Sequence, residues 1–396
     1  MTPGNSSISS FNPAAAPPQP GLQTFLFKFA LLGLPVFAVF GFSFFLLLAS
    51  GELTPANSFF IQPRSRHPTL VGLAYSNPVV YFKLQSILSE NPEVMALGSS
   101  RILTLREEFF REGVFYNAGS SVGLLRDFRT VLQRIPAGKE PKVILLGLDQ
   151  NFFNEVYDER PRPDMQSRYG RTQSPTEIYK DSWSIAVRDF FNKKFTLSQL
   201  FFNHSPIRRI GLNAFANDEG FRQDGSYQFG RFLKNPQNPK YRDIGFKIAL
   251  GRVAQGGSHL EFGDKVSTGL LREFTRFLED CRSRHIYLIC FLPPYAHSLY
   301  EALLHTGKHE YIFQLESILK PLLSRYGFDF YNFSDLASLG VSDDQAIDGL
   351  HMSERAYLHL LIEILKKNEP LRQYAYPDRL KKLLKDSNSL YAVIDS

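Results

Sequence analysis

Two short stretches carry side chains whose types and spacing could perform acyl transfer. One is "VMALGSSRI", Val94 to Ile102, an apolar run that ends in a glycine, two hydroxyls and a cation. The other is "AIDGLHMSERAY", which sets Asp348 and His351 three residues apart ahead of a helical stretch. A serine hydroxyl becomes nucleophilic when a neighbouring base takes its proton, and that base needs a partner to hold its tautomer. Asp348 and His351 supply base and partner together, and Ser99 or Ser100 supplies the hydroxyl.

Such groups must be delivered by a scaffold. The chain repeats short apolar runs separated by helix-length stretches: "VMALGSS" at 94–100, "VFYNAGSS" at 114–121, "KVILLGLD" at 142–149, "HIYLICFLPP" at 285–294 and "FDFYNFSD" at 328–335. Continuous rather than alternating apolar residues suit strands buried on both faces of a parallel sheet. Helical spacing over 124–134 and 268–284 gives β-α-β order. The expectation is a doubly wound α/β domain over about 91–370, a flavodoxin-like three-layer α/β/α fold around a mostly parallel five-stranded sheet. In such sheets ligands sit beyond the carboxyl ends of the strands, where these runs end in small or polar residues. The stretch at about 155–265 is too long for a structureless loop and reads as an insert or cap.

At 396 residues and 43% hydrophobic, the chain can bury a full core. A net charge of +6, spread along the chain without basic blocks or zinc spacings, argues against a nucleic-acid partner. Cys281 and Cys290 fit neither a redox nor a zinc motif and read as small core residues. His305 and His309 lack a third ligand, so no metal and no cofactor is expected. From Phe29 to Ala49 the sequence is uncharged and long enough to cross a bilayer, with Lys28 before it and Glu52 after it. That charge placement puts the N-terminus in the cytoplasm and the body outside. The resulting division is a disordered cytoplasmic tail at 1–28, an anchor at 29–49, a linker and lead-in helix at 50–90, the α/β domain, and a C-terminal tail at 371–396. The basic amphipathic run at 378–386 suits either a membrane surface or a solvated terminal helix.

Taken in order, "GSS", "NAG", "GLD" and "DGLH" resemble the four blocks of the SGNH/GDSL hydrolase superfamily over about 91–365. The resemblance implies Ser100 as nucleophile, with Ser99 in the place of the family's aspartate, and His351 and Asp348 as its partners. It implies the Gly119 N–H as an oxyanion donor. The family's third block carries an asparagine amide for the oxyanion where this chain has Asp149. An ionised Asp149 would repel an oxyanion, so Asn151 substitutes, or Asp149 is protonated, or activity is weak. Gly-Ser-Ser in the first block is similar to membrane-anchored envelope proteins of teichoic-acid D-alanylation and alginate O-acetylation. These imply a membrane-bound O-acyltransferase as partner and an acylated polysaccharide, or another acyl compound, as substrate. His297, in "LPPYAHS", lies on the same rim and is a candidate substrate contact or a plain loop histidine. Arg101 is either an anion-binding residue or one half of a surface ion pair. The "DGS" at 224–226 resembles a turn used in the same envelope group.

The sequence therefore points to a single-pass protein of the inner (plasma) membrane with a periplasmic or extracytoplasmic domain. It would be an SGNH-like acyl esterase or O-acyltransferase. The alternative is a binding or scaffold subunit of a polysaccharide-modification complex, with Asp149 marking lost turnover.

Overall fold

The computed structural model describes residues 21–55, 68–161, 169–170, 172–202 and 206–394. Of the tail expected at 1–28, residues 1–20 lie outside the described residues, and residues 22–28 belong to the first helix, α1 (Leu22–Ala49). α1 is long and apolar enough to cross a membrane. Its side chains stay exposed from Leu22 to Gly41 apart from half-buried Gly33, and then Ser43, Leu46 and Leu47 are fully buried by protein. Beyond its end, buried Glu52 accepts the N–H groups of Ala74, Tyr75 and Leu212, pinning the helix to the body.

The main sheet contains β2 (Val94–Gly98), β3 (Phe115–Gly119), β4 (Val143–Gly147), β8 (Tyr287–Leu292) and β9 (Asp329–Asn332), in the order β3-β2-β4-β8-β9 and parallel throughout. Every residue of β2, β3 and β4 is buried, which is why these runs show no alternation. The fold is thus mixed α/β with a parallel multi-stranded sheet and one N-terminal apolar helix. α2 (Val79–Glu90) leads into β2, and α3 (Leu125–Arg134) joins β3 to β4. The ring of Phe128 on α3 lies 5.6 Å from that of Phe277 on the helix before β8, Thr268–Ser283.

The insert carries α4 (Pro175–Phe191) and α5 (Leu197–Phe201). Ser174 and Glu177 start α4 with reciprocal bonds: the Glu177 N–H donates to Ser174 Oγ (3.2 Å) and the Ser174 N–H to Glu177 Oε2 (2.7 Å). With β1 (Thr69–Val71) from the segment before the main sheet, the insert also builds a second sheet, β5-β1-β6-β7, adding β5 (Arg208–Ile210), β6 (Gly220–Phe221) and β7 (Tyr227–Gln228). Residues 69–71 are therefore a strand, not linker. The C-terminal segment is not a tail either. α6 (Glu354–Lys367) is followed by α7 (Pro377–Asp386), whose Leu380 is buried, as are Tyr391 and Val393. The apolar side of the basic run at 378–386 thus faces protein. Cys281 and Cys290 are buried and free.

Candidate active site

Ser100 begins a 3-10 turn at the carboxyl end of β2, where Ser99 Oγ accepts the Arg101 N–H. The turn folds back over the sheet and needs bare backbone beneath it: a Cβ on Gly147 would lie 2.5 Å from Ile102 Cγ2. The first residue of a helical turn has no intrahelical acceptor for its N–H, so the turn itself leaves the Ser100 amide unused. Ser100 Oγ is 2.9 Å from His351 Nε2. On the other side of the ring, Nδ1 is 2.9 Å from Asp348 Oδ2 and 3.1 Å from Oδ1. A carboxylate can only accept, so Nδ1 carries the proton and Nε2 is left to accept from the Ser100 hydroxyl.

Asp348 Oδ1 also accepts the N–H groups of Leu350 (2.8 Å) and His351 (2.7 Å), a tight turn that explains the three-residue spacing. Burial would push the Asp348 carboxyl up, but His351 and these bonds outweigh it and hold it well below the usual carboxylate range. Burial likewise pulls the His351 imidazole down, and Asp348 outweighs it, raising the ring above the ordinary histidine value.

The segment after Ser100 clamps the histidine loop. Arg101 is buried, and its Nε donates to Leu350 O (3.2 Å), Nη1 to Gln150 Oε1 (2.6 Å) and Nη2 to Pro293 O (2.8 Å), with the guanidinium 4.4 Å above the Tyr295 ring. Arg101 is therefore neither half of a surface pair nor a free anion site, because backbone carbonyls and Gln150 take up its fork. Thr104 Oγ1 donates to Met352 O (3.0 Å). Glu354, in the first turn of α6, pairs with Arg106 (3.3 Å) and with Arg222 of the insert (3.0 Å). Sequence reasoning missed this clamp, although an acidic residue so close behind the histidine was its one legible trace.

The cavity at Ser100 has a volume of about 360 Å³ and is lined by Ser100, His351, Ser120, Phe221, Tyr227 and Phe229 among others. Phe229 stands 6.1 Å from the imidazole, ring centre to ring centre. The insert thus forms one wall, and the aromatic residues of "GFRQDGSYQFGRF" line it. Ser120 adopts a left-handed backbone conformation (φ 64°), uncommon for a residue with a Cβ.

The remaining candidates fall in different places. The Gly119 N–H donates to Asn117 Oδ1 at 2.8 Å, so it is not free for an oxyanion; the Asn117 side chain curls along its own strand, and its Nδ2 holds the carbonyls of Ile102 and Leu105. Asp149 is buried beside Ser99, Arg101 and His351; burial, opposed by Arg101 and a Ser99 hydrogen bond, raises its pKa. Its Oδ1 finds no hydrogen-bond partner among the described residues. Asn151 is buried, its Nδ2 3.4 Å from His259 Nδ1 of the insert. His297 is exposed and pairs with Asp335 at 3.0 Å.

Asp224 and Gly225 of the "DGS" turn cover the outer edge of β3. The Asn117 N–H donates to Asp224 O (2.7 Å), and Lys83 Nζ of α2 donates to Asn117 O (2.6 Å) and to Gly225 O. Gly225 has φ 80°, and a Cβ there would lie 2.2 Å from Asn117 O. Among the described residues no group of three His, Cys, Asp or Glu side chains could hold a metal ion.

The arrangement can activate a hydroxyl next to an open cavity; that is its chemistry. Comparison of the chain with protein-family models, with curated proteins and with solved structures returned no match in any of the three.

Proposed function

We propose that this chain is a membrane-anchored serine acyl-transfer enzyme of the SGNH type, an esterase or O-acyltransferase acting on envelope or exported polysaccharide. One observation carries the reading: the hydrogen-bonded series Ser100, His351, Asp348 at the mouth of a cavity. In this mechanism Ser100 Oγ attacks an acyl carbonyl while His351 Nε2 takes its proton and returns it to the leaving oxygen. Asp348 orients the ring and stabilises the imidazolium. Water then releases the acyl group as acid, or a sugar hydroxyl accepts it.

The oxyanion needs donors aimed at it. The Ser100 N–H is one. The second is a protonated Asp149, a reading supported by its burial and by an Oδ1 without a hydrogen-bond partner among the described residues. A carboxylic acid kept neutral by an apolar site is an established oxyanion donor elsewhere. The strand order, second-first-third-fourth-fifth along the chain, is that of flavodoxin-like three-layer folds and supports the fold expected from the resemblance. Phe221, Tyr227 and Phe229 offer aromatic walls to a sugar acceptor. A membrane-bound O-acyltransferase would be the neighbour that supplies the acyl group, with the domain on the extracytoplasmic side.

A second reading, a binding or scaffold subunit, is favoured by one feature: the Gly119 N–H is already taken by Asn117. A fluorophosphonate separates the two. The full chain in detergent is expected to be labelled at Ser100, and Ser100→Ala and His351→Ala are expected to abolish labelling. Absence of labelling on the unmodified chain leaves the binding subunit as the better account.

A further inference from the structure

The unburied part of α1, Leu22 to Gly41, spans about 30 Å at ~1.5 Å per residue, the thickness of a bilayer's hydrocarbon core. If that part is the span, the membrane surface falls near Phe40 to Phe42. Helix α4 lies at that level. The Trp183 ring is 4.4 Å from Phe40, the Tyr179 hydroxyl donates to Phe40 O (2.9 Å), and the Phe190 ring is 5.2 Å from Phe42. Tyr179 also meets Ser43 Oγ (3.1 Å) and the Phe44 ring (5.7 Å), so Tyr179 and Phe190, about 16 Å apart along α4, meet residues that fall within about 6 Å along α1. α4 therefore crosses α1 steeply and runs along the membrane surface.

At helical spacing, Val187 and Phe191 share the side of Trp183. Phe191 is 72% exposed, and beyond the helix Phe202 is 71% exposed beside Phe201, which stacks on Phe45 at 5.6 Å. Phe45 is within about 8 Å of Phe40 along the axis, inside the headgroup layer. Lys180 and Lys193 are exposed near the two ends of this patch. Large apolar rings left in water and flanked by cations, continuous with a membrane span, match the composition of an interfacial belt.

We propose that α4 and α5 form a membrane-interface collar, in which Trp183, Phe191, Phe201 and Phe202 enter the headgroup region of an anionic phospholipid bilayer and Lys180 and Lys193 meet its phosphates. The collar holds the body at one tilt relative to the bilayer, where α1 alone would leave it free to lean.

Trp183 is the only tryptophan in the chain, so its fluorescence reports the collar directly. The full chain is reconstituted in phosphatidylcholine and phosphatidylglycerol vesicles whose lipids are brominated either near the headgroup or near the bilayer centre. Shallow bromines are expected to quench Trp183 at least about twofold more than deep ones. In the double variant Phe191→Asp, Phe202→Asp, that quenching is expected to fall by at least half and quenching by aqueous iodide to rise. Shallow quenching that is absent, or that the double variant leaves unchanged, overturns the collar and assigns the exposed rings to a protein neighbour. Resistance of the same samples to alkaline carbonate extraction reports the span separately, so loss of the collar and loss of the anchor are told apart.

Discussion

Replacing Asp149 tests how the proposed oxyanion is held. The carboxyl is buried, only 4% exposed, with Ser99 and Arg101 beside it and Oδ1 without a hydrogen-bond partner among the described residues. If the buried acid carries a proton and donates it, Asp149→Asn supplies a neutral N–H donor of nearly the same shape. The expected kcat then stays within about threefold of the parent, under about 0.7 kcal/mol in barrier. Asp149→Ala removes the donor and is expected to lower kcat by about 10² to 10³, or roughly 2.7–4 kcal/mol. The assay is hydrolysis of a short-chain nitrophenyl ester by the detergent-solubilised full chain, with the rate of phosphonate labelling of Ser100 as a second readout. Both outcomes other than this one refute the reasoning. Equal losses in the two variants make Asp149 a structural residue. A tenfold or larger gain in Asp149→Asn makes the native carboxylate an ionised brake on turnover.

Other consequences are open to direct measurement. His351 must be neutral to act as base and its pKa is raised, so kcat/KM is expected to rise with pH along a limb centred above the usual 6.5; Asp348→Asn is expected to move that limb down and cut kcat by about 10⁴. Arg101→Met leaves Leu350 O and Gln150 Oε1 without the Arg101 donor, and Pro293 O with Gln150 Nε2 alone, and is expected to cost about 2–3 kcal/mol, read as a lower urea midpoint. Gly225→Ala forces a Cβ against Asn117 O at positive φ and is expected to cost about 1–3 kcal/mol by the same measurement. Burial lowers the Lys83 pKa to about 7 from 10.5, with Asp224 opposing it, so between those values the unfolded chain binds the extra proton. Stability is therefore expected to be full above 10.5 and to decline as pH falls toward about 7, a slope that Lys83→Met removes.

β2, β3, β4 and β8 were legible because burial on both faces writes a long apolar run into the sequence, whereas β9, half-buried to exposed along its length, showed only as a short aromatic run. The hydroxyl and the Asp348-to-His351 turn were legible for a related reason: each lies where such a run or a helix begins or ends. What was not legible depends on partners distant in sequence. β1, β6 and β7 are two or three residues long and acquire meaning only on pairing, Thr69 with Arg208 or Phe221 with Tyr227. Arg101 looks like any surface cation until the carbonyls of Pro293 and Leu350 come to it. The fate of the Gly119 N–H depended on a rotamer of Asn117, and no spacing rule records rotamers.

The covering of β3 by the turn at Asp224 and Gly225 also bears on self-association of the α/β body. β3 ends the main sheet, and a terminal strand is a template for recruiting another chain, with edge-to-edge aggregation as the result. Here the amide and carbonyl of Asn117 are both occupied, one by the insert and one by Lys83 of the lead-in helix. The insert is therefore a guard as well as a wall of the cleft. A chain trimmed of residues 155–265 would expose that strand, and would more readily form sheet-extended oligomers than the full chain.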